Sequence, residues 1–230
     1  MAGAERRVNW FAIWVSVAVV VALVLVAVLV VVLNQSSDDP GDPGEPPQAS
    51  NIDTETGAIL VGDGDQTMDT YIDFMCPVCN RFEELYGSYI EELVDDGTIT
   101  LGIHPIAILD RYSQGTDYST RSANAMYCVA VADADAPLPF LQSLFLNQPA
   151  EGSSGLTDAE LLEIASDVGV DGIDACVADL RYGTFVAAMT ELTPVQPGAA
   201  GIGTPTIAIN GEVIANGDLP NPAELAILFR

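Results

Sequence analysis

The chain has 230 residues, room for one sizeable domain with attachments. It carries 33 acidic against 7 basic residues, and all seven are Arg, so a formal charge of -26 sits on a chain without lysine. Such a surface repels phosphate backbones and excludes nucleic acid as a partner class; salt adaptation and plain solubility are equally compatible with it.

Residues 1–9 include Arg6 and Arg7, and Trp10 to Leu33 follows as an apolar run of about 24 residues broken only by Ser16. As a helix it reaches roughly 36 Å, enough to span a bilayer core. A cleaved signal has a shorter apolar region, roughly 7 to 15 residues, and a small-residue cleavage site that the residues after Leu33 do not supply. The expectation is a retained transmembrane helix over 10–33, with a cleaved signal as the alternative. The positive-inside bias then keeps 1–9 cytoplasmic and exports the rest to a compartment that permits disulfides. Residues 34–51, with four prolines between Asn34 and Ser50 and almost nothing apolar, read as an extended extracytoplasmic linker. At about 3.1 Å per residue it reaches roughly 50 Å from the membrane.

The globular domain is expected over 52–230. Gly57–Gly62 reads as a short strand and Thr67–Met75 as a β-branched and aromatic one. A helix starts at Cys76, with Phe82, Leu85, Tyr86, Tyr89, Ile90 and Leu93 on one face and Gly97 as its stop. Thr98–Ile103 is the next strand. From about 118 to 192 the pattern is helical, with a capping box at Thr157 and Glu160. Pro205–Gly217 reads as a hairpin turning at Asn210-Gly211, and Asn221–Phe229 as a last helix with Pro222 in first position. The order predicts an α/β core interrupted by an all-helical insertion.

The segment FMCPVCNRFE places Cys76 at the start of a helix, where unpaired backbone N–H groups and the helix dipole stabilise a thiolate and lower its pKa. Pro77 fits the first helical position, and Cys79, almost one turn on, is able to reach back and close a small disulfide across Pro77 and Val78. Cys76 is therefore the expected exposed nucleophile and Cys79 the buried resolving thiol. A metal site needs more ligands than this pair, because Cys128 and Cys176 are isolated and His104 is the single histidine. A purely structural bridge is disfavoured, since so short a loop removes little unfolded-chain entropy. His104, beside Pro105 at a strand end, reads as structural.

FMCPVCNRFE resembles the active-site segment of the DsbA-like branch of the thioredoxin superfamily, and GIGTPTIAINGEVI resembles that superfamily's cis-proline segment. The helical block, including DYSTRSANAMYCVA and LFLNQPAEGSSGLTDAELLEIA, is similar to membrane-anchored DsbA-like proteins of high-GC Gram-positive bacteria. The resemblance implies a thioredoxin-like fold and a cis Thr204-Pro205 bond lying across from Cys76, where the Thr204 backbone pairs with a bound substrate strand. It also shows departures: Val78 stands where the best-known pattern has His, and Thr70 where it has an acidic residue. Asp73, three residues before Cys76, is a candidate proton shuttle for Cys79 or, alternatively, a solvated carboxylate. Cys128 and Cys176 lie in apolar helical contexts, and two leftover cysteines in an exported protein more often pair than stay free. Two separate buried thiols are the alternative.

The function expected from this reading is a membrane-anchored thiol:disulfide oxidoreductase that introduces disulfides into exported cysteine-containing proteins. It needs no soluble cofactor and no metal, and by resemblance a membrane quinone-linked partner re-oxidises the pair. A reductase or isomerase, or a non-catalytic binding module using the cis-proline groove, are the rival readings.

Overall fold

The computed structural model describes residues 44–229. The expected cytoplasmic segment, the transmembrane helix and most of the linker, within residues 1–43, lie outside the described residues. No helix among the described residues is long and apolar enough to cross a membrane.

A six-stranded sheet forms the core: β1 (Ile52–Asp53), β2 (Ala58–Val61), β3 (Gln66–Ile72), β4 (Ile99–Pro105), β5 (Thr206–Ile209) and β6 (Glu212–Ile214), in the order β1-β2-β4-β3-β5-β6. β3 and β4 are parallel, and every other pair is antiparallel. A parallel pair needs a crossover, and helix α1 (Pro77–Asp95) supplies it. β3 therefore runs between two neighbours and delivers the chain directly to Cys76. Met68, Thr70 and Ile72 alternate toward the buried face of β3. The Asn210-Gly211 turn joins β5 to β6 with positive φ at both residues, 50° and 81°, the backbone that a tight hairpin turn requires.

The helical insertion consists of α2 (Tyr118–Ala132), α3 (Pro137–Leu146), α4 (Asp158–Asp167), α5 (Asp174–Ala178) and α6 (Gly183–Glu191). α2 is buried on nearly all sides from Ser122 to Ala130, as befits the central helix of a bundle. Its Tyr127 meets the rings of Phe185 and Tyr182 edge-on and donates its hydroxyl to the Gly57 carbonyl at 2.7 Å, tying the insertion to the β1–β2 turn. Asn124 is buried and fully engaged, donating to the Cys176 carbonyl and accepting from the Tyr182 N–H. Cys128 and Cys176 form a disulfide that joins α2 to α5. The capping box at the start of α4 is present in both directions, Thr157 Oγ1 accepting from Glu160 N–H and Glu160 accepting from Thr157 N–H.

Three expectations differ in detail. The strand expected over Thr67–Met75 ends at Ile72, because the Asp73 carboxylate accepts the Met75 N–H and closes a turn there. The last helix is a 3-10 helix, Pro222–Phe229, with Leu225 buried. Residues 44–51, expected in the linker, are partly docked: Pro47 is buried, Ala49 packs on the core, and the Asn51 amide donates to the Ala130 carbonyl at 3.2 Å.

Candidate active site

Cys76 is the N-cap residue of α1 and Pro77 its first helical residue, so the missing proline donor costs nothing. No side chain caps this helix and its first turn holds no acidic residue, which leaves the first N–H groups and the positive end of the dipole to the Cys76 sulfur. The Cys79 thiol donates to that sulfur and is the largest cause of a Cys76 pKa lowered to about 7. Burial opposes the shift, the backbone N–H groups of Cys79 and Val78 support it, and the Asp73 charge works against it. Burial pushes the Cys79 thiol well above its ordinary value, and its proximity to Cys76 adds to the effect. The two sulfurs are thus unequal, one ready to ionise and one held protonated.

Across from them runs the loop that ends in the cis Thr204-Pro205 bond. The Cys76 Sγ lies 3.7 Å from the Thr204 carbonyl oxygen, and the Cys79 Sγ lies 2.9 Å from Thr204 Oγ1. The Thr204 hydroxyl also stands 3.0 Å from the Tyr71 carbonyl, which only accepts, so its single proton has two destinations. With the proton on Tyr71, Thr204 accepts the single proton of a Cys79 thiol in place of the Cys76 sulfur. With it turned to sulfur, Thr204 donates to a Cys79 thiolate. The Pro205 carbonyl is held by two side-chain amides, Gln196 at 2.9 Å and Asn216 at 2.8 Å, which fixes the loop without using the Thr204 backbone.

This loop changes one expectation. Cys76 keeps 6% of its surface and Cys79 none, because Thr204 lies over the first sulfur as well as the second. Pro77 and Val78, which follow Cys76 in the chain, are both exposed, Val78 at 58%. Ile202, two residues before Thr204, is also an exposed apolar side chain.

Asp73 sits in the turn after β3 and is fully buried, not a solvated strand carboxylate. Its Oδ1 accepts from Met75 N–H at 2.9 Å and from Ser119 Oγ at 2.7 Å, and its Oδ2 accepts from Leu109 N–H at 2.9 Å. Burial raises its pKa to about 6 against the pull of these donors. The carboxylate ties the redox turn to α2 and to the segment after β4. His104 lies one strand away, with Nε2 2.9 Å from Asp69 Oδ1, Nδ1 3.2 Å from the Thr56 carbonyl, and its ring stacked on Tyr71 at 4.0 Å. Gly102 makes room for that pair, since a Cβ there would collide with the Asp69 carboxylate. The structure thus brings together Cys76, Pro77, Val78, Cys79, Asp73, Thr204 and Pro205, while Cys128 and Cys176 lie in the insertion. Gln196, Asn216 and Ser119 were not foreseen, because each acts over a distance in sequence that no local pattern records.

Residues 55–225 match the family model described as thioredoxin. Among curated proteins, the serine/threonine-protein kinase PknE of Mycobacterium tuberculosis is 32% identical over 169 residues, covering 71% of this chain and 29% of the kinase. The chain therefore spans less than a third of the curated relatives it matches. Among solved structures, oxidised DsbA of M. tuberculosis is 28% identical with a TM-score of 0.61, covering 75% of this chain and all of that one. The reduced disulfide bond oxidoreductase DsbG of the same species is 28% identical with a TM-score of 0.59, covering 83% and 95%. MdbA of Actinomyces oris, a thiol-disulfide oxidoreductase, shares the fold at 23% identity and a TM-score of 0.62, covering 80% and 92%. The chain belongs to the thioredoxin family, and its domain is similar to those of protein thiol:disulfide oxidoreductases.

Proposed function

We propose that the protein is an extracytoplasmic oxidase of thiols, anchored by residues 10–33, that introduces disulfides into exported cysteine-containing proteins. The observation that carries this reading is the unequal placement of the two sulfurs: Cys76 stands at the uncapped start of α1, where its pKa is lowered to about 7, and Cys79 is fully buried against Thr204, where burial pushes its pKa up. A stabilised Cys76 thiolate favours the reduced pair and so raises the potential of its disulfide. A substrate thiolate attacks Cys76 Sγ, the Cys76–Cys79 bond breaks, and the electron pair leaves on Cys79. The Thr204 hydroxyl, 2.9 Å away, turns from Tyr71 to donate to that departing thiolate. A second substrate thiolate then attacks the substrate sulfur of the mixed disulfide, and Cys76 leaves readily because its pKa is low. Two substrate thiols become one disulfide, and their two electrons remain on the Cys76–Cys79 dithiol. A membrane quinone-linked partner, proposed from the family resemblance, collects them. The same resemblance and the exposed Val78 and Ile202 support a client strand laid along Thr204.

The pH dependence follows from the direction of the Cys76 shift. A thiol whose folded pKa is lowered from 9.0 to about 7 stabilises the folded reduced protein fully above about 9, and that stability is lost as pH falls through about 7. The disulfide form has no such thiol. The melting temperature of the reduced protein minus that of the oxidised protein is expected to rise between about pH 6 and about pH 8.5. Alkylation of Cys76 should reach half its maximal rate near pH 7. A difference that stays flat, with alkylation midway near the ordinary thiol value, contradicts the oxidase reading. The topology is tested by a reporter fused after Arg230 that works only when exported. Activity, with the mature chain beginning at or near Met1, is the expected outcome, and a membrane-free chain starting in the linker contradicts the anchor.

A further inference from the structure

The hydrogen bonds of the turn that presents Cys76, residues 73–76, are divided between two residues. Its N–H groups go to Asp73: Met75 N–H to Oδ1 at 2.9 Å and Cys76 N–H to the Asp73 carbonyl at 3.0 Å. The Phe74 and Cys76 carbonyls reach the insertion, the Cys76 carbonyl also accepting the Asn80 N–H of α1 at 3.2 Å. Gln148 Nε2 donates to the Phe74 carbonyl at 3.0 Å and to the Cys76 carbonyl at 2.9 Å, one amide proton to each. Gln148 belongs to the helical insertion, two residues past the end of α3.

The orientation of this amide is fixed by chemistry. Both Phe74 and Cys76 offer carbonyl oxygens, which only accept, so the NH2 end of Gln148 faces the turn and its Oε1 faces away. Asn80, one helical turn after Cys76, donates to that Oε1 at 3.0 Å and to the Phe145 carbonyl at 2.9 Å. The two donors of each side chain are thereby used in one chain that runs from α3, through the first turn of α1, to the backbone on both sides of Met75. Phe74 is fully buried, so its carbonyl has to be satisfied by protein, and Gln148 does this.

We propose that Gln148 is a positioning residue for the redox pair, held in register by Asn80, through which the helical insertion sets the ionisation of Cys76. The proposal rests on the oxidoreductase reading and adds a residue outside both sequence motifs. Two effects work in the same direction. The amide holds the peptide units before α1 so that the Val78 and Cys79 N–H groups stay aimed at the Cys76 sulfur, and it places the positive end of its own dipole on the carbonyl of the reacting residue.

The test uses the full chain and three variants, Gln148→Met, Gln148→Glu and Asn80→Ala. The readouts are the pH midpoint of Cys76 alkylation in the reduced protein and the equilibrium of the Cys76–Cys79 pair with glutathione. Gln148→Met keeps the length of the side chain and removes both donors. It is expected to move the midpoint upward by about half a pH unit to one pH unit, and to shift the equilibrium about threefold to tenfold toward the disulfide. Gln148→Glu, which turns acceptor oxygens on two carbonyls, should shift further in the same direction. Asn80→Ala should shift less, and adding it to Gln148→Met should change nothing more, because Asn80 acts through Gln148. If Gln148→Met folds and leaves both midpoint and equilibrium where they were, the proposal is overturned. If Gln148→Met does not fold, Asn80→Ala decides: a raised midpoint supports the proposal and an unchanged one overturns it. A wild-type protein that exchanges no disulfides at all defeats the underlying reading instead, so the two failures are distinct.

Discussion

A Cys79→Ser variant accumulates mixed disulfides with exported cysteine-containing proteins, whereas Cys76→Ser accumulates none and refolds a reduced secreted substrate no faster than the uncatalysed rate. The reason lies in the order of the sulfurs. Cys76 is at the helix start with its pKa lowered to about 7, so it is the atom that bonds to a client. Cys79 lies one turn behind, fully buried and hydrogen-bonded to Thr204, and its task is to break the bond that Cys76 makes. Serine at 79 cannot do so, and the intermediate persists. The adducts migrate together on a non-reducing gel and separate on reduction. Trapping by Cys76→Ser and not by Cys79→Ser reverses the roles of the two residues. If neither variant alters oxidation, reduction or isomerisation, the binding-module reading takes the place of the enzyme.

Replacing Cys128 and Cys176 together by Ser is the substitution expected to cost most stability. The bridge spans 48 residues, and in the chain-entropy model a loop of that length contributes about 4 kcal/mol. For a domain of this size that corresponds to a melting temperature lower by roughly 10 °C. The bridge ties central helix α2 to α5, the shortest helix of the insertion, beside the packing of Ile173 and Val177 and the Asn124 bond to the Cys176 carbonyl. Redox activity at Cys76 should survive at temperatures where the variant is folded. Mild reductant is expected to open Cys76–Cys79 before Cys128–Cys176, since the lowered Cys76 pKa makes that disulfide the more easily reduced. Melting curves and peptide mapping of alkylated cysteines check both statements, and an unchanged melting temperature contradicts the first.

How much of this was legible in the sequence depends on how far apart the cooperating residues lie. The cysteine pair, Pro77, the Asn210-Gly211 turn and the Thr157 capping box are local signals, each carried by residues a turn or less apart, and the elements fall close to where those signals put them. The Thr204-Pro205 segment was read through resemblance, because nothing in its spacing specifies a cis bond. β1 is two residues long and has no period to detect. The sequence marks a last helix over Asn221–Phe229 but not its 3-10 type, because eight residues do not separate a period of 3.0 from one of 3.6. The polar supports of the site were invisible for a different reason. Ser119 reaches Asp73, Gln148 reaches Cys76 and Asn216 reaches Pro205 only after the sheet and insertion have closed, and an isolated Ser, Gln or Asn in a sequence carries no mark of its partner. Asp73 was weighed as a shuttle or a solvated carboxylate, and the structure gives it three donors and no solvent.

The central claim, that unequal sulfurs make this pair an oxidant, is tested most directly by the reduction potential of the Cys76–Cys79 couple, measured by equilibration with glutathione while Cys128–Cys176 remains closed. The oxidase reading predicts a potential in the oxidising range, between about -200 and about -120 mV. A value near the roughly -270 mV of thioredoxin would keep the disulfide in preference to the dithiol, make the protein a reductant, and contradict the account.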